Sequence, residues 1–328
     1  MKYYFAPMEG ITKYIYRNAH NSNFSNIDKY FSPFIPANKS ESLKTKELND
    51  ILPENNQGLH LVPQILTNNA KDFIHTAKKL EHLGYNEINL NLGCPSGTVV
   101  SKNRGAGFLS KTEELDAFLA EIYTSLSIKI SVKTRIGRDQ PEEFYKLIEI
   151  FNKYPMEELI IHPRIQKDFY KNKPNMTVFK DAMTLSKNPV CYNGDIFSAS
   201  DYNEFITDFP EVTTVMLGRG LISNPGLIDS ITYNTKLDFD KLKNFHDRIY
   251  EDYKRILFGD RNVLYRMKEI WFYMITMFPN SSKYEKRIKK SERFYDYEEA
   301  VNGLIREAKD VNKPSAYLTH KVLPGQDY

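Results

Sequence analysis

Short runs of consecutive apolar residues alternate, along the first two thirds of the chain, with stretches whose apolar positions recur every three or four residues. The runs are Tyr3–Ala6, Tyr30–Phe34, Leu59–Leu66, Tyr85–Leu92, Ile128–Thr134, Leu159–His162, Pro189–Asn193 and Thr214–Leu217. Between the later runs, Asn69–Leu83 carries Phe73, Ile74, Ala77 and Leu80 on one helical face, and Thr112–Leu126 and Pro141–Tyr154 repeat the pattern. Thr112, with Glu113 and Glu114 behind it, marks a helix start. Strand and helix alternating in short units predict a parallel sheet. Eight runs within the first 236 residues fit an α/β fold of the (β/α)8 TIM-barrel kind. A doubly wound sheet is the alternative, and the missing Gly-x-Gly-x-x-Gly turn after the first run counts against it.

Beyond residue 236 the strand rhythm stops. Phe239–Phe258, Arg261–Phe278, Ser282–Ser291 and Tyr297–Lys309 read as helices, broken at Gly259-Asp260, Pro279-Asn280 and Phe294-Tyr295. The chain therefore divides into a barrel over residues 1–236 and a small all-α C-terminal domain over residues 237–328, with Tyr317–Tyr328 an irregular tail.

Composition narrows the chemistry. At 328 residues and 41% hydrophobic, the chain can bury a sizeable core. Its two cysteines, Cys94 and Cys191, are far apart, so no disulfide framework and no zinc-spaced Cys/His cluster is expected. Neither a targeting segment nor an uncharged apolar span of membrane length is visible, which predicts a cytoplasmic protein with no membrane partner. From Lys236 onward 19 Lys/Arg stand against 15 Asp/Glu, bunched in Lys283–Lys290 and at Arg293. Such a face can follow phosphates, or be an ordinary solvated helix surface.

In a barrel the site lies where the strands end. The first run closes in Ala6-Pro7-Met8-Glu9-Gly10, the third in Gln64, and the fourth in Asn91-Leu92-Gly93-Cys94-Pro95, with a glycine loop at Gly105-Ala106-Gly107 expected to expose its backbone. The fifth ends in Lys133-Thr134-Arg135-Ile136-Gly137 and the sixth in His162-Pro163-Arg164. Asn193-Gly194-Asp195 and Gly218-Arg219-Gly220 close the last two, where barrels commonly bind phosphate. Cys94 is either a small buried cap on its strand or a proton donor, since a free thiol is mostly protonated at neutral pH. Lys133 suits a Schiff base or the support of negative charge on a reduced ring cofactor. The amides Gln64 and Asn91, suited to a flat heterocycle, favour the second. His162 can be structural or a ligand contact, and Cys191 reads as structural.

These residues, in this order and spacing, resemble the tRNA-dihydrouridine synthases over the whole barrel. The resemblance implies FMN at the barrel mouth, with Pro7 and Met8 against the ring, Glu9 in the same segment, and Gln64 and Lys133 on the ring edge. It implies His162 on the cofactor, and Asn193, Gly194, Asp195, Gly218 and Arg219 around the phosphate. Cys94 matches the catalytic cysteine and Asn91 the uracil-contacting amide, with Arg164 a contact to uracil or phosphate. The implied reaction is reduction of FMN by NADPH (or NADH), then of the uracil C5=C6 bond in tRNA, with a base flipped out of its stack and Cys94 protonating C5. The helical domain would hold the RNA backbone. No metal is implied, and a monomer is expected. Two segments depart from the commoner family wording: Ser96-Gly97-Thr98 after Cys94-Pro95, and Arg164-Ile165 where Arg-Thr is usual. A flavin enzyme of free pyrimidines, a synthase acting on ribosomal RNA and a non-catalytic RNA-binding protein are the competing readings.

Overall fold

A computed structural model describes residues 1–24, 26–37 and 43–310, so the expected irregular tail lies outside the described residues. Ten strand segments form: β1 (Lys2–Phe5), β2 (Lys29–Phe31), β3 (Ile35–Pro36), β4 (Leu61–Val62), β5 (Gln64–Leu66), β6 (Glu87–Leu92), β7 (Lys129–Gly137), β8 (Leu159–Ile165), β9 (Val190–Tyr192) and β10 (Thr214–Leu217). Every pairing is parallel, in the order β3-β5-β6-β7-β8-β9-β10-β1-β2-β4. β2 and β3 are two halves of one stave, as are β4 and β5. Because β2 pairs with β4 and β3 with β5, the ring closes on eight staves, the expected (β/α)8 barrel. The second of these breaks falls at Pro63, which has no N–H to give the ladder but still accepts from the Asn89 amide at 2.9 Å.

The predicted helices sit between the staves. Ala70–His82 is capped by the Asn69 side chain, which accepts from the Asp72 amide at 3.0 Å. Its Phe73, Ala77 and Leu80 are fully buried, and each large apolar side chain so placed contributes roughly 1.5–3 kcal/mol. β7 and β8 run three residues further than the apolar pattern suggests. Lys133 and His162 therefore stand within strands, in register with Asn91 and Arg135 respectively.

Inside the ring a small separate cluster of Tyr4, Ala6, Phe31, Val62, Ile160, Met216 and Cys191 fills the barrel, so Cys191 serves packing. Below it, at the strand starts, a charge network closes the floor. Lys29 Nζ lies 2.8 Å from Glu87 Oε2 and 3.2 Å from Glu158 Oε2, and Tyr4 Oη donates to Glu158 Oε1 at 2.6 Å.

The C-terminal helices are Phe239–Ile256, Asp260–Met274, Ser282–Lys290 and Phe294–Asp310. Phe294-Tyr295, expected as a break, starts the last helix; the break lies just before it. The Phe245 ring meets Tyr16 edge-on at 5.2 Å, docking the first of these helices on barrel helix Tyr14–Asn23. Tyr297 Oη accepts from Trp271 Nε1 at 2.8 Å and donates to His246 Nε2 at 2.7 Å, so three helices share one satisfied buried network. No helix among the described residues is long and apolar enough to cross a membrane.

Candidate active site at the barrel mouth

A cavity of about 160 Å³ opens at the C-terminal end of the strands, with Pro7, Met8 and Glu9 along one side and Gln64, Asn91, Cys94, Lys133 and His162 among its other walls. A smaller notch of about 50 Å³ is lined by Asn193, Gly194, Gly218 and Arg219, and shares Pro7, Met8, Lys133 and His162 with the cavity. One elongated chamber results, narrow and glycine-walled at one end. Glu9 opens onto the cavity; the surrounding protein raises its carboxyl, with Lys46 and Lys13 opposing the rise.

The cysteine turn is built by its own neighbours. Asn91 Oδ1 accepts from the amides of Gly93 at 3.0 Å and Cys94 at 2.9 Å, an Asx-type turn that aims the thiol into the cavity. Asn91 Nδ2 donates to Gln64 Oε1 at 2.6 Å, and Gln64 Nε2 to Asn89 Oδ1 at 2.7 Å, which fixes both amides. The expected exposure of Gly105-Ala106-Gly107 is overturned: all three are buried beneath the turn. Gly105 is there for fit, with φ of +54° and a Cβ position only 2.8 Å from the Cys94 carbonyl oxygen. Burial pushes the Cys94 thiol above its ordinary range; a backbone contact at Ser96 and the charges of Arg135 and Lys133 oppose this without cancelling it. Cys94 is a thiol at neutral pH.

Lys133 carries no hydrogen bond or ion pair from the described residues, and its ammonium faces the cavity. Burial, with Arg135 adding to it, lowers its pKa to about 8. Arg135, two residues on and on the same strand face, is 1% exposed. It donates to three carbonyls: Gly93 at 3.0 Å, Ile165 at 2.8 Å and Phe169 at 2.7 Å. The cysteine turn and the loop after β8 are thereby pinned to one guanidinium, and Phe169 is held at φ of +49°.

Two expected contacts are placed otherwise. Neither Arg164 nor Asp195 lines the cavity or the notch. Arg164 is 2% exposed and forks onto Asp195, at 2.9 Å and 2.5 Å, while Asp195 Oδ1 also accepts from Arg219 at 2.5 Å. Bound to two arginines, the Asp195 carboxylate has its charge matched within the protein and holds the Arg219 guanidinium in place. Residues absent from the expected set also wall the chamber: Phe34, Arg135, Phe169, Tyr170 and, from the helical region, Tyr273. The Arg219 guanidinium stacks on Tyr170 at 4.3 Å.

A thiol, an ammonium without a partner among the described residues and a glycine-walled notch thus meet at the mouth of a (β/α)8 barrel, and, with the family match that follows, the chain is a flavin-dependent oxidoreductase. The family model for dihydrouridine synthase (Dus) matches residues 4–319, and the chain belongs to that family. It is similar to a tRNA-dihydrouridine(16) synthase of Pseudomonas putida, 28% identical over 230 residues that cover 68% of this chain and 70% of that one. Another protein of that name, from Pasteurella multocida, is 26% identical over 243 residues, covering 71% and 77%. Among solved structures, morphinone reductase superposes with a TM-score of 0.51 at 10% identity, covering 74% of this chain and 88% of that one, a likeness of fold.

Proposed function

We propose that this protein is an FMN-dependent tRNA-dihydrouridine synthase, driven by NADPH (or NADH), that reduces the C5=C6 bond of uridine. The observation that carries it is a cysteine and a lysine without a partner among the described residues lining one cavity. The ammonium lacks a counter-charge that an electron-rich ring edge can supply, and the notch beside Arg219 suits a phosphate, so the residues fit the cofactor. Pro7 and Met8 would pack on its ring, with Gln64, Lys133 and His162 along its edge and Asn193, Gly194, Gly218 and Arg219 at its phosphate. The flavin, when bound and reduced, would supply the hydride. The proton is this chain's own: Cys94 Sγ–H delivers it to uracil C5, and Arg135 and Lys133 stabilise the thiolate left behind. Phe34, Phe169 and Tyr273 wall the chamber around the flipped base and exclude water.

Residues 1–236 form the catalytic part and residues 237–328 the RNA-holding part, acting as a cytoplasmic monomer without metal. Lys286, Lys289 and Lys290 are exposed on helix Ser282–Lys290, whereas Arg287 is engaged by Glu299 at 2.7 Å. The three free lysines are the phosphate contacts we assign, each worth about one unit of salt slope in RNA binding. Position 16 of tRNA, named for the relatives above, is the proposed target.

The test is Cys94→Ala with flavin content monitored. Dihydrouridine formation is expected to fall by about 10²–10⁴-fold while the protein stays yellow and binds tRNA. Unchanged turnover sinks the acid role. Reduction of free uracil without RNA would favour the free-pyrimidine enzyme, and a colourless protein the non-catalytic RNA binder. Mapping dihydrouridine in total RNA from a deletion strain separates tRNA position 16 from other positions and from ribosomal RNA.

A further inference from the structure

Arg164 is buried and Asp195 half-buried, and neither lines the cavity or the notch. Arg164 spends its donors inside the protein: Nε to the Asn172 carbonyl at 2.5 Å, Nη2 to Asp195 Oδ2 at 2.5 Å, and Nη1 to both Asp195 Oδ1 and His162 Nε2, each at 2.9 Å. A guanidinium has five N–H donors, no acceptor, and never gives up its charge in a protein. The contact with His162 therefore has one direction only. Nε2 accepts, and cannot carry a proton while Arg164 holds it.

The rest of the surroundings agree. Lys133 and Arg135 from β7, Arg164 from β8 and Arg219 after β10 act on His162, and all are cationic. The Tyr170 ring lies 5.9 Å away, and Asp195, the neighbouring carboxylate, is already shared by Arg164 and Arg219. Burial and these charges hold the imidazole neutral, well below its ordinary range. No hydrogen bond from the described residues engages Nδ1, and His162 lines both cavity and notch.

We infer that Arg164, anchored by Asp195, is a positioning residue that fixes His162 as the neutral Nδ1–H tautomer, leaving Nδ1 only able to donate. Two consequences follow. His162 selects an acceptor atom on its ligand, a carbonyl or ring nitrogen rather than an N–H; with flavin as that ligand, this part rests on the function proposed above. His162 is also excluded as a second acid beside Cys94, because losing its one proton would leave an imidazolate.

Ring-nitrogen NMR on histidine-¹⁵N-labelled protein without cofactor tests this directly, the His162 signals being assigned by their loss in His162→Gln. Wild type is expected to show Nδ1 protonated and Nε2 bare from about pH 5.5 to 8. In Arg164→Met an Nε2–H population should appear, and Arg164→Lys, which restores a donor, should suppress it. Nε2–H in wild type, or an Arg164→Met spectrum identical to wild type, overturns the inference. Should Arg164→Met fail to fold, the wild-type spectrum still decides. Flavin affinity in Arg164→Met should drop about tenfold, the loss of one neutral hydrogen bond. Wild type that binds no flavin would instead overturn the functional proposal and leave the tautomer result standing.

Discussion

Two lysines stand in the same barrel and are used in opposite ways. At the floor, Lys29 lies between Glu87 and Glu158. Burial works against its charge, yet the two carboxylates outweigh that and hold the ammonium above the ordinary lysine range. At the mouth, Lys133 has no carboxylate, and burial draws it down to about 8. A buried cation whose charge is matched inside the protein belongs to the scaffold; one left unmatched at a cavity is a candidate ligand contact. The difference lies in the partners, since the residue type is the same.

The contrast can be broken at each end. Lys29→Met strands two carboxylates in the floor and is expected to cost about 3–5 kcal/mol in chemical denaturation, with activity per folded molecule kept. Glu158 is already raised, burial first, so its folded form takes up protons that the unfolded chain releases. The deficit should therefore shrink as pH falls, and a deficit independent of pH would contradict the charge account. Lys133→Met should do the reverse: unchanged or higher melting temperature, but flavin binding weakened about ten- to hundredfold by equilibrium dialysis. Equal stability losses for the two variants would erase the distinction.

Smaller effects sharpen it. A bound anion raises the Lys133 pKa, so binding takes up a proton once the free ammonium has titrated. Wild-type flavin affinity should fall by up to about tenfold per pH unit above about 8, with no such fall in Lys133→Met. Smallest is the coupling to the thiol. Cys94 should react with iodoacetamide more slowly than an ordinary cysteine at neutral pH, and about twofold more slowly again in Lys133→Met, where one charge favouring the thiolate is gone. A faster reaction in that variant would place the lysine elsewhere.

The barrel was legible because eight buried staves must be apolar, and that leaves a visible rhythm. That Cys94, Lys133, His162 and Arg219 would gather around one chamber was legible because polar residues at the ends of such runs have few reasons to be there. Residue type does not reveal a partner, and nothing along the chain says that Asp195 and Arg164 bind each other. The glycines at 105 and 107 read as open loop because a close approach and an exposed turn demand the same residue. Arg135 left a signal: alternation in Lys133-Thr134-Arg135 puts both cations on one face. Tyr170 left none, coming from a loop without periodicity. Tyr273 could not be read at all, since nothing along the chain says that the appended helices reach the cavity.

That last placement bears on how such enzymes diversify. Tyr273 belongs to helix Asp260–Met274 but forms part of the chamber wall. Exchanging the helical region between relatives would therefore also exchange part of that wall. A chimera that inherits a new set of appended helices also inherits a new stretch of chamber wall, so the helical surface and the pocket shape change together.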